Sequence, residues 1–339
     1  AADEPTAVAL TMYGEERTFA LTLVSDLYEM NWKLIDIFQF IESRLHGTVD
    51  RLELEFAAVN GMLATLDPHS LMMDPDTYRE MKLGTSGEFG GLGIVLTVRD
   101  GALTIVSVMD DTPASRQGLR RGDRIVQIGA ESTVTMTLND AVTRLRGAPG
   151  STVRLLVARD GWAEPRRFIV ERDQIAVRSV DARPLGRGIG YARIKSFQKR
   201  TAEDLAREVG LLRTSGHLQG LILDLRDNPG GLLDQAVRVS DLFLAAGVIV
   251  TTESAGKELR EQKEARKLAT YETVPLVVLV NNGSASAAEV VAGALQNNDR
   301  AAIVGDRTFG KGSVQVVYEI DDAALKLTVA EYLTPGDVS

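Results

Sequence analysis

The chain has 339 residues, a formal net charge of −9 and 44% apolar residues, enough for roughly two or three well-filled domains. That charge balance disfavours nucleic acid or an anionic membrane surface as the main partner. No uncharged apolar run reaches the roughly 18 residues of a membrane span, and the absence of cysteine removes thiol nucleophiles, zinc–thiolate sites and disulfides together.

The first elements expected are helical. Leu23, Leu27, Trp32, Ile35, Phe38, Ile41 and Leu45 recur at three- to five-residue spacings, predicting an apolar stripe, and a second run spans Leu52 to Leu66. Gly61 weakens that second helix, and Asp67-Pro68 ends it, because the residue before proline is pushed out of the helical region. Residues 1–80 thus read as an N-terminal helical region that covers a core or pairs with another subunit. Over 81–172 the texture changes to glycine-punctuated strands: Ile94–Val98, Leu103–Ser107, Arg124–Ile128 and Thr152–Val157, with hairpin signals at Asp100-Gly101 and Asp160-Gly161. One helix, Leu138 to Leu145, interrupts this small β-rich module. Over 173–339 strands and helices alternate. Ile189–Lys195, Leu221–Leu225 and Pro275–Val280 read as strands, and Thr201–Leu212 (Thr201 as cap), Leu232–Leu244 and Ala287–Leu295 as helices. That order predicts an α/β layer fold with a partly parallel sheet. The last residues, Leu333-Thr-Pro-Gly-Asp-Val-Ser339, bring no closing element, so the natural protein is expected to continue.

The segment Val280-Asn-Asn-Gly-Ser-Ala-Ser-Ala-Ala-Glu289 joins a buried-type strand to a helix through very small residues. A nucleophile there meets backbone N–H groups and the helix dipole, which face negative charge developing on a substrate carbonyl. Turns with capping serines are also common without chemistry, and this is not the Gly-x-Ser-x-Gly elbow. A serine hydroxyl needs a base. His46 and His217 each stand beside a glycine at a helix end or in a loop, and His69 follows Asp67-Pro68; all three read as capping or solvated. Lys311, in Thr308-Phe-Gly-Lys-Gly-Ser-Val-Gln315, fits better. A lysine entering an apolar pocket loses hydration, which favours the neutral amine that can take a serine proton. Standing alone, the same segment also reads as a surface lysine in a glycine turn.

Taken together, Asn-Gly-Ser-Ala-Ser-Ala-Ala-Glu and Phe-Gly-Lys-Gly-Ser-Val-Gln resemble the carboxyl-terminal processing (tail-specific) proteases. The resemblance implies a multidomain α/β protein with a crotonase/ClpP-like protease core, Ser286 (not Ser284) as nucleophile, Lys311 as general base and Gln315 orienting the lysine. It also covers Asp224-Leu-Arg-Asp-Asn-Pro-Gly-Gly-Leu232, implying an oxyanion hole from Gly230 or Gly231 together with the Ala287 amide. No metal, nucleotide or other cofactor is implied. The first twenty residues match nothing in the family pattern.

Glu88-Phe-Gly-Gly-Leu-Gly-Ile94 offers consecutive N–H groups from a glycine-rich turn, of the kind that captures a terminal carboxylate while the next strand pairs with the peptide. Residues 111–129 look like the signature stretch of PDZ domains, which this family inserts at this position. The match places C-terminus binding on Gly91, Leu92, Gly93 and Ile94, with helix 138–145 as the other wall, and Arg146 resembles a family arginine that couples peptide binding to the active site. The implied protein is a serine endopeptidase of the periplasm or cell envelope, acting on substrates with free non-polar C-termini. A helical-repeat lipoprotein adaptor and homo-oligomers are expected partners. The alternatives are a non-catalytic PDZ scaffold on the same fold, and another enzyme or small-ligand carrier with a closed apolar pocket.

Overall fold

The computed structural model describes residues 7–20, 26–45, 50–216, 218–254, 256, 259–266, 271 and 273–337. The chain forms two compact units, Ala1–Tyr78 with Gln315–Thr328, and Arg79–Val314 with Val329–Ser339.

The first unit opens on a hairpin of β1 (Ala7–Met12) and β2 (Glu15–Ala20). Tyr13 and Gly14 at its tip both have positive φ, 51° and 86°, as a two-residue turn matched to strand twist requires. This segment was expected within a helical region; its short alternating runs around Tyr-Gly suit a hairpin instead. Two helices follow, α1 (Leu27–Leu45) and α2 (Arg51–Leu63), the latter capped by Asp50, which accepts from the Leu52 amide at 3.0 Å. Leu27 and Trp32, expected on the apolar stripe, are 78% and 57% exposed. Burial falls on Phe40, whose ring meets Phe19 of the hairpin edge-on at 5.7 Å. Leu23, His46 and His217 lie outside the described residues. Asp67 accepts from the His69 and Ser70 amides at 2.8 and 2.9 Å and from the Thr328 hydroxyl at 2.9 Å. Led by the Ser70 hydroxyl, these donors hold its carboxyl down to about 2. β3 (Leu71–Met73) completes this stretch.

Next comes α3 (Pro75–Ser86), which the periodicity missed. Its signal is local: Asp74 accepts from the Asp76 and Thr77 amides at 3.0 and 2.9 Å, and Pro75 occupies the first helical position. The β-rich module comprises β4 (Glu88–Gly91), β5 (Ile94–Arg99), β6 (Ala102–Val108), α4 (Pro113–Arg116), β7 (Arg124–Ile128), β8 (Glu131–Ser132), α5 (Leu138–Leu145), β9 (Thr152–Ala158) and β10 (Arg166–Glu171). Its antiparallel sheet runs β10-β9-β7-β6-β5, around a core that includes Ile105, Ile125, Leu155 and Val157. β5 is therefore an edge strand. β11 (Asp173–Ala176) returns to pair with β4, so the two ends of the module are tied together.

The α/β layer contains β12 (Val180–Gly186), β13 (Ile189–Ile194), α6 (Thr201–Ser215), β14 (Gly220–Asp224), α7 (Leu233–Asp241), β15 (Val248–Ser254), β16 (Arg260–Glu264), β17 (Leu276–Val280), α8 (Ala287–Asn297), β18 (Ala302–Gly305), β19 (Ser313–Ile320) and β20 (Ala323–Leu333). Its main sheet has the order β12-β13-β14-β17-β18, parallel from β13 onward, with β12 as an antiparallel edge. Strands β14 and β17 are near-continuous apolar runs because parallel strands are covered on both faces. Leu223 and Val278 are fully buried, each side chain stabilising the fold by about 1.5–3 kcal/mol. Thr201, expected as the cap of α6, is its first helical residue; Arg200 stands at the cap, and the Thr201 hydroxyl accepts from the Gln198 amide at 2.8 Å.

Candidate active site

Because β14 and β17 are parallel neighbours, the loops at their carboxyl ends open side by side, where ligands meet open α/β sheets. The loop after β14 is built on two buried polar residues. Asp224 is fully buried. Burial alone would raise its carboxyl, but the Arg226 guanidinium and the Tyr191 hydroxyl (2.6 Å) overcome that and hold it at about 2. Asn228, also fully buried, donates to the Ile194 carbonyl at 2.9 Å and accepts from the Gly230 amide at 2.9 Å. Its own carbonyl accepts from the Ala285 amide at 2.9 Å, which joins this loop to the serine turn.

In that turn the two serines differ. Ser284 is fully buried; its hydroxyl donates to the Leu225 carbonyl at 2.7 Å and accepts from the Asn281 amide at 3.0 Å. Ser286 sits at the amino end of α8 with φ 56° and ψ −118°, a backbone state that costs a non-glycine residue about 1–3 kcal/mol and clusters at active sites. Gly230 faces it closely. A Cβ on Gly230 would lie 2.8 Å from Ser286 Cβ and from the Ala285 carbonyl oxygen, and one on Gly231 would lie 2.2 Å from the Phe197 carbonyl oxygen. The Gly230 amide is occupied by Asn228. Among the described residues, the amides of Gly231 and Ala287 donate to no protein acceptor.

Lys311 is brought to the same place. Glu289, in the first turn of α8, accepts from the Ser286 amide at 2.7 Å and from the Lys311 amide at 2.9 Å through one oxygen, and from the Gly310 amide at 2.6 Å through the other. The Tyr332 hydroxyl donates to the Lys311 carbonyl. Gln315 lies further along β19, in the part of the chain that belongs to the first unit. Sequence reasoning missed Asn228, Glu289 and Tyr332. Glu289 carried a signal, three residues after a serine at a helix start; Tyr332 arrives from a distant strand and carried none. Among the described residues, no cluster of acidic, histidine or cysteine side chains is arranged to hold a metal.

In the β-rich module a groove of about 250 Å³ lies between β5 and α5, lined by Phe89, Leu92, Ile94, Leu96, Val142 and Leu145 among others. The Leu92 and Gly93 carbonyls are taken by the Ala114 and Met109 amides, each at 2.9 Å. The Leu92 and Gly93 amides have no acceptor among the described residues. Gly93 has φ 78°, and a Cβ there would lie 2.3 Å from Thr112. Gly91 and Arg146 also line the groove; the Arg146 guanidinium pairs with Glu80 on α3 and lies 5.1 Å from the Phe89 ring centre. A larger cleft of about 790 Å³ shares Ile94 and Val95 with this groove and reaches Lys195 and Gln198 of the α/β layer.

The peptidase family S41 model matches residues 188–339 and a PDZ domain model matches residues 104–159. The carboxy-terminal-processing protease of Bartonella bacilliformis is 41% identical over 308 residues, covering 90% of this chain and 71% of that protein. The carboxy-terminal processing protease CtpA of Bacillus subtilis is 36% identical over 307 residues, covering 89% of this chain and 65% of its own. Among solved structures, a photosystem II D1 C-terminal processing protease aligns with a TM-score of 0.50 at 30% identity, over 86% of this chain and 79% of that one. Fold and matches together define a serine-type peptidase that carries a PDZ domain and binds peptide or protein substrates. The chain belongs to the carboxy-terminal-processing protease family. Among the described residues, no helix is long and apolar enough to cross a membrane.

Proposed function

We propose that Ser286 is the nucleophile, Lys311 the general base, and the Gly231 and Ala287 amides the oxyanion donors of a C-terminus-directed endopeptidase. The observation that carries this reading is the Glu289 carboxylate, which gathers the Ser286 and Lys311 amides onto one oxygen at the amino end of α8. Neutral Lys311 takes the Ser286 proton as Oγ attacks the scissile carbonyl, and the oxyanion forms against the two free amides and the positive end of the helix. The lysine returns the proton to the leaving amine, and water then hydrolyses the acyl-enzyme. Gln315 takes the lysine-orienting role by its family position. Gly230 serves by shape, since its own amide is occupied by Asn228.

The PDZ domain spans residues 81–172 in this reading, the peptidase core 173–339, and residues 1–80 form a dimerisation or core-covering region. A free C-terminus adds a strand to the open edge of β5, its carboxylate meeting the Leu92 and Gly93 amides and its last side chain entering the groove. Gly91 and Ile94 shape that turn, and Arg146 links its occupancy to α3 through Glu80. Tethering there raises the local concentration of the chain at Ser286, which offsets weak sequence selectivity. Substrates are envelope or periplasmic proteins with non-polar tails, delivered in part by a helical-repeat lipoprotein adaptor, and the working form is a homo-oligomer.

The test is cleavage of an unfolded casein by the wild-type chain and by Ser286→Ala. Loss in the variant supports the reading; equal cleavage by both refutes it.

A further inference from the structure

Lys311 is flanked by Gly310, with φ 87°, and Gly312, and glycines widen the backbone states open to a segment. The Phe309 amide anchors the start of the segment on the Ser284 carbonyl at 3.0 Å, and further constraint on the lysine comes from outside. Two side chains supply it from opposite sides. Glu289 accepts the Lys311 amide at 2.9 Å and the Gly310 amide at 2.6 Å, while Tyr332 donates to the Lys311 carbonyl. The Tyr332 amide in turn donates to the Gly312 carbonyl at 2.7 Å, which locks the phenol's own strand against the segment. Glu289 is anchored on the nucleophile's helix, and the oxygen that holds the Lys311 amide also holds the Ser286 amide.

We propose that Glu289 and Tyr332 are positioning residues for the peptidase reaction, holding the Lys311 backbone where its amine reaches the Ser286 hydroxyl. The inference rests on the reading of Ser286 and Lys311 given above. Glu289 acts through main-chain groups and fixes the N–H side of the lysine peptide, while Tyr332 holds its C=O side and also bonds the Ser286 side chain. A carboxylate accepting three amides is rigid, because charge-assisted hydrogen bonds are short and strong. Tyr332 is suited to the second role. Burial, and then the Glu289 charge, push its ionisation well above the usual tyrosine value, while a hydrogen bond with the Ser286 side chain pulls the other way. The phenol therefore stays a neutral donor across the working pH range.

The experiment uses the full chain, an unfolded casein as substrate, and the variants Tyr332→Phe, Glu289→Gln, Glu289→Ala, Ser286→Ala and Lys311→Ala. Tyr332→Phe keeps the buried ring and removes one oxygen. Its kcat should fall about 10- to 100-fold, the scale that misplacement by an ångström produces. KM and the circular dichroism spectrum should stay as in the wild type, and the acid limb of the kcat/KM profile should move. Glu289→Gln keeps an acceptor for the Ser286 and Lys311 amides and loses only the one for Gly310, so it should retain more activity than Glu289→Ala. Should Glu289→Ala fail to fold, Tyr332→Phe still decides. Wild-type kcat and pH profile in Tyr332→Phe, or a raised KM alone, beside an inactive Ser286→Ala, would overturn the positioning role and leave the site reading standing. Full cleavage by Ser286→Ala or Lys311→Ala, or none by the wild type, would remove the site reading and the positioning role with it.

Discussion

The Ser284 hydroxyl donates to the Leu225 carbonyl at 2.7 Å, and that bond gives the first serine of the turn a structural role. Ser284 is fully buried and stitches the end of β17 to the loop after β14. Ser284→Ala should therefore lower stability by about 1–3 kcal/mol, the cost of leaving buried partners unsatisfied. Ser286→Ala should remove turnover and cost about 0.5–2 kcal/mol, as the loss of a helix-capping hydroxyl does. Urea midpoints read beside casein cleavage separate the two effects.

Gly230 presents its steric demand directly against the serine turn. A methyl group there would stand 2.8 Å from Ser286 Cβ and 3.0 Å from the Ala287 nitrogen, at a φ of 100°. Gly230→Ala should displace the serine turn and lower kcat by about 100-fold or more, since ångström-scale shifts at reacting atoms cost that much. The strained backbone adds about 1–3 kcal/mol of destabilisation. Steady-state kinetics with thermal melts read both consequences.

For the PDZ groove the free amides of Leu92 and Gly93 make carboxylate recognition testable with peptides alone. A peptide with a non-polar, free C-terminus should bind, and its C-terminal amide should bind about 10-fold more weakly or worse, as hydrogen bonds to a charged group are worth about 1.5–3 kcal/mol. Titration calorimetry on the Ser286→Ala chain checks this without cleavage. Equal affinities would remove the carboxylate from the account.

Several carboxyls contribute to the response to acid, Asp224 and Asp67 most strongly. Asp224 and Asp67 are each held at about 2, below the ordinary value of 3.8. A group whose folded pKa is depressed contributes stability above its unfolded pKa and loses it as pH falls through the folded one. Stability should thus decline as pH drops from about 4 towards 2. Asp224→Asn should be less stable at neutral pH and show a flatter dependence over that window. Chemical denaturation across the range is the measurement.

Much of this was legible in the sequence because the information was local. Leu221–Leu225 and Pro275–Val280 are apolar runs with turn residues behind them, and Ser286 and Lys311 sit in short, dense motifs. Long-range partners were not legible. Tyr332 reaches Lys311 from the last strand, and no spacing rule connects them. Residues 7–20 were obscure for another reason: six-residue strands around Tyr13-Gly14 leave a weak period, and only the turn pair marks the hairpin. On α1 the period was right, yet Leu27 and Trp32 proved exposed, because periodicity does not say which neighbours a helix has. Which of Gly230 and Gly231 keeps an unoccupied amide needed hydrogen-bond accounting, since both follow the same proline.

The most direct test of the central claim is Lys311→Ala, measured for casein cleavage and for affinity towards a peptide with a free non-polar C-terminus. The account predicts no cleavage with peptide affinity unchanged, as the lysine serves the chemistry and the groove between β5 and α5 serves binding. Cleavage at the wild-type rate would contradict it, and the proton of Ser286 would then need another base.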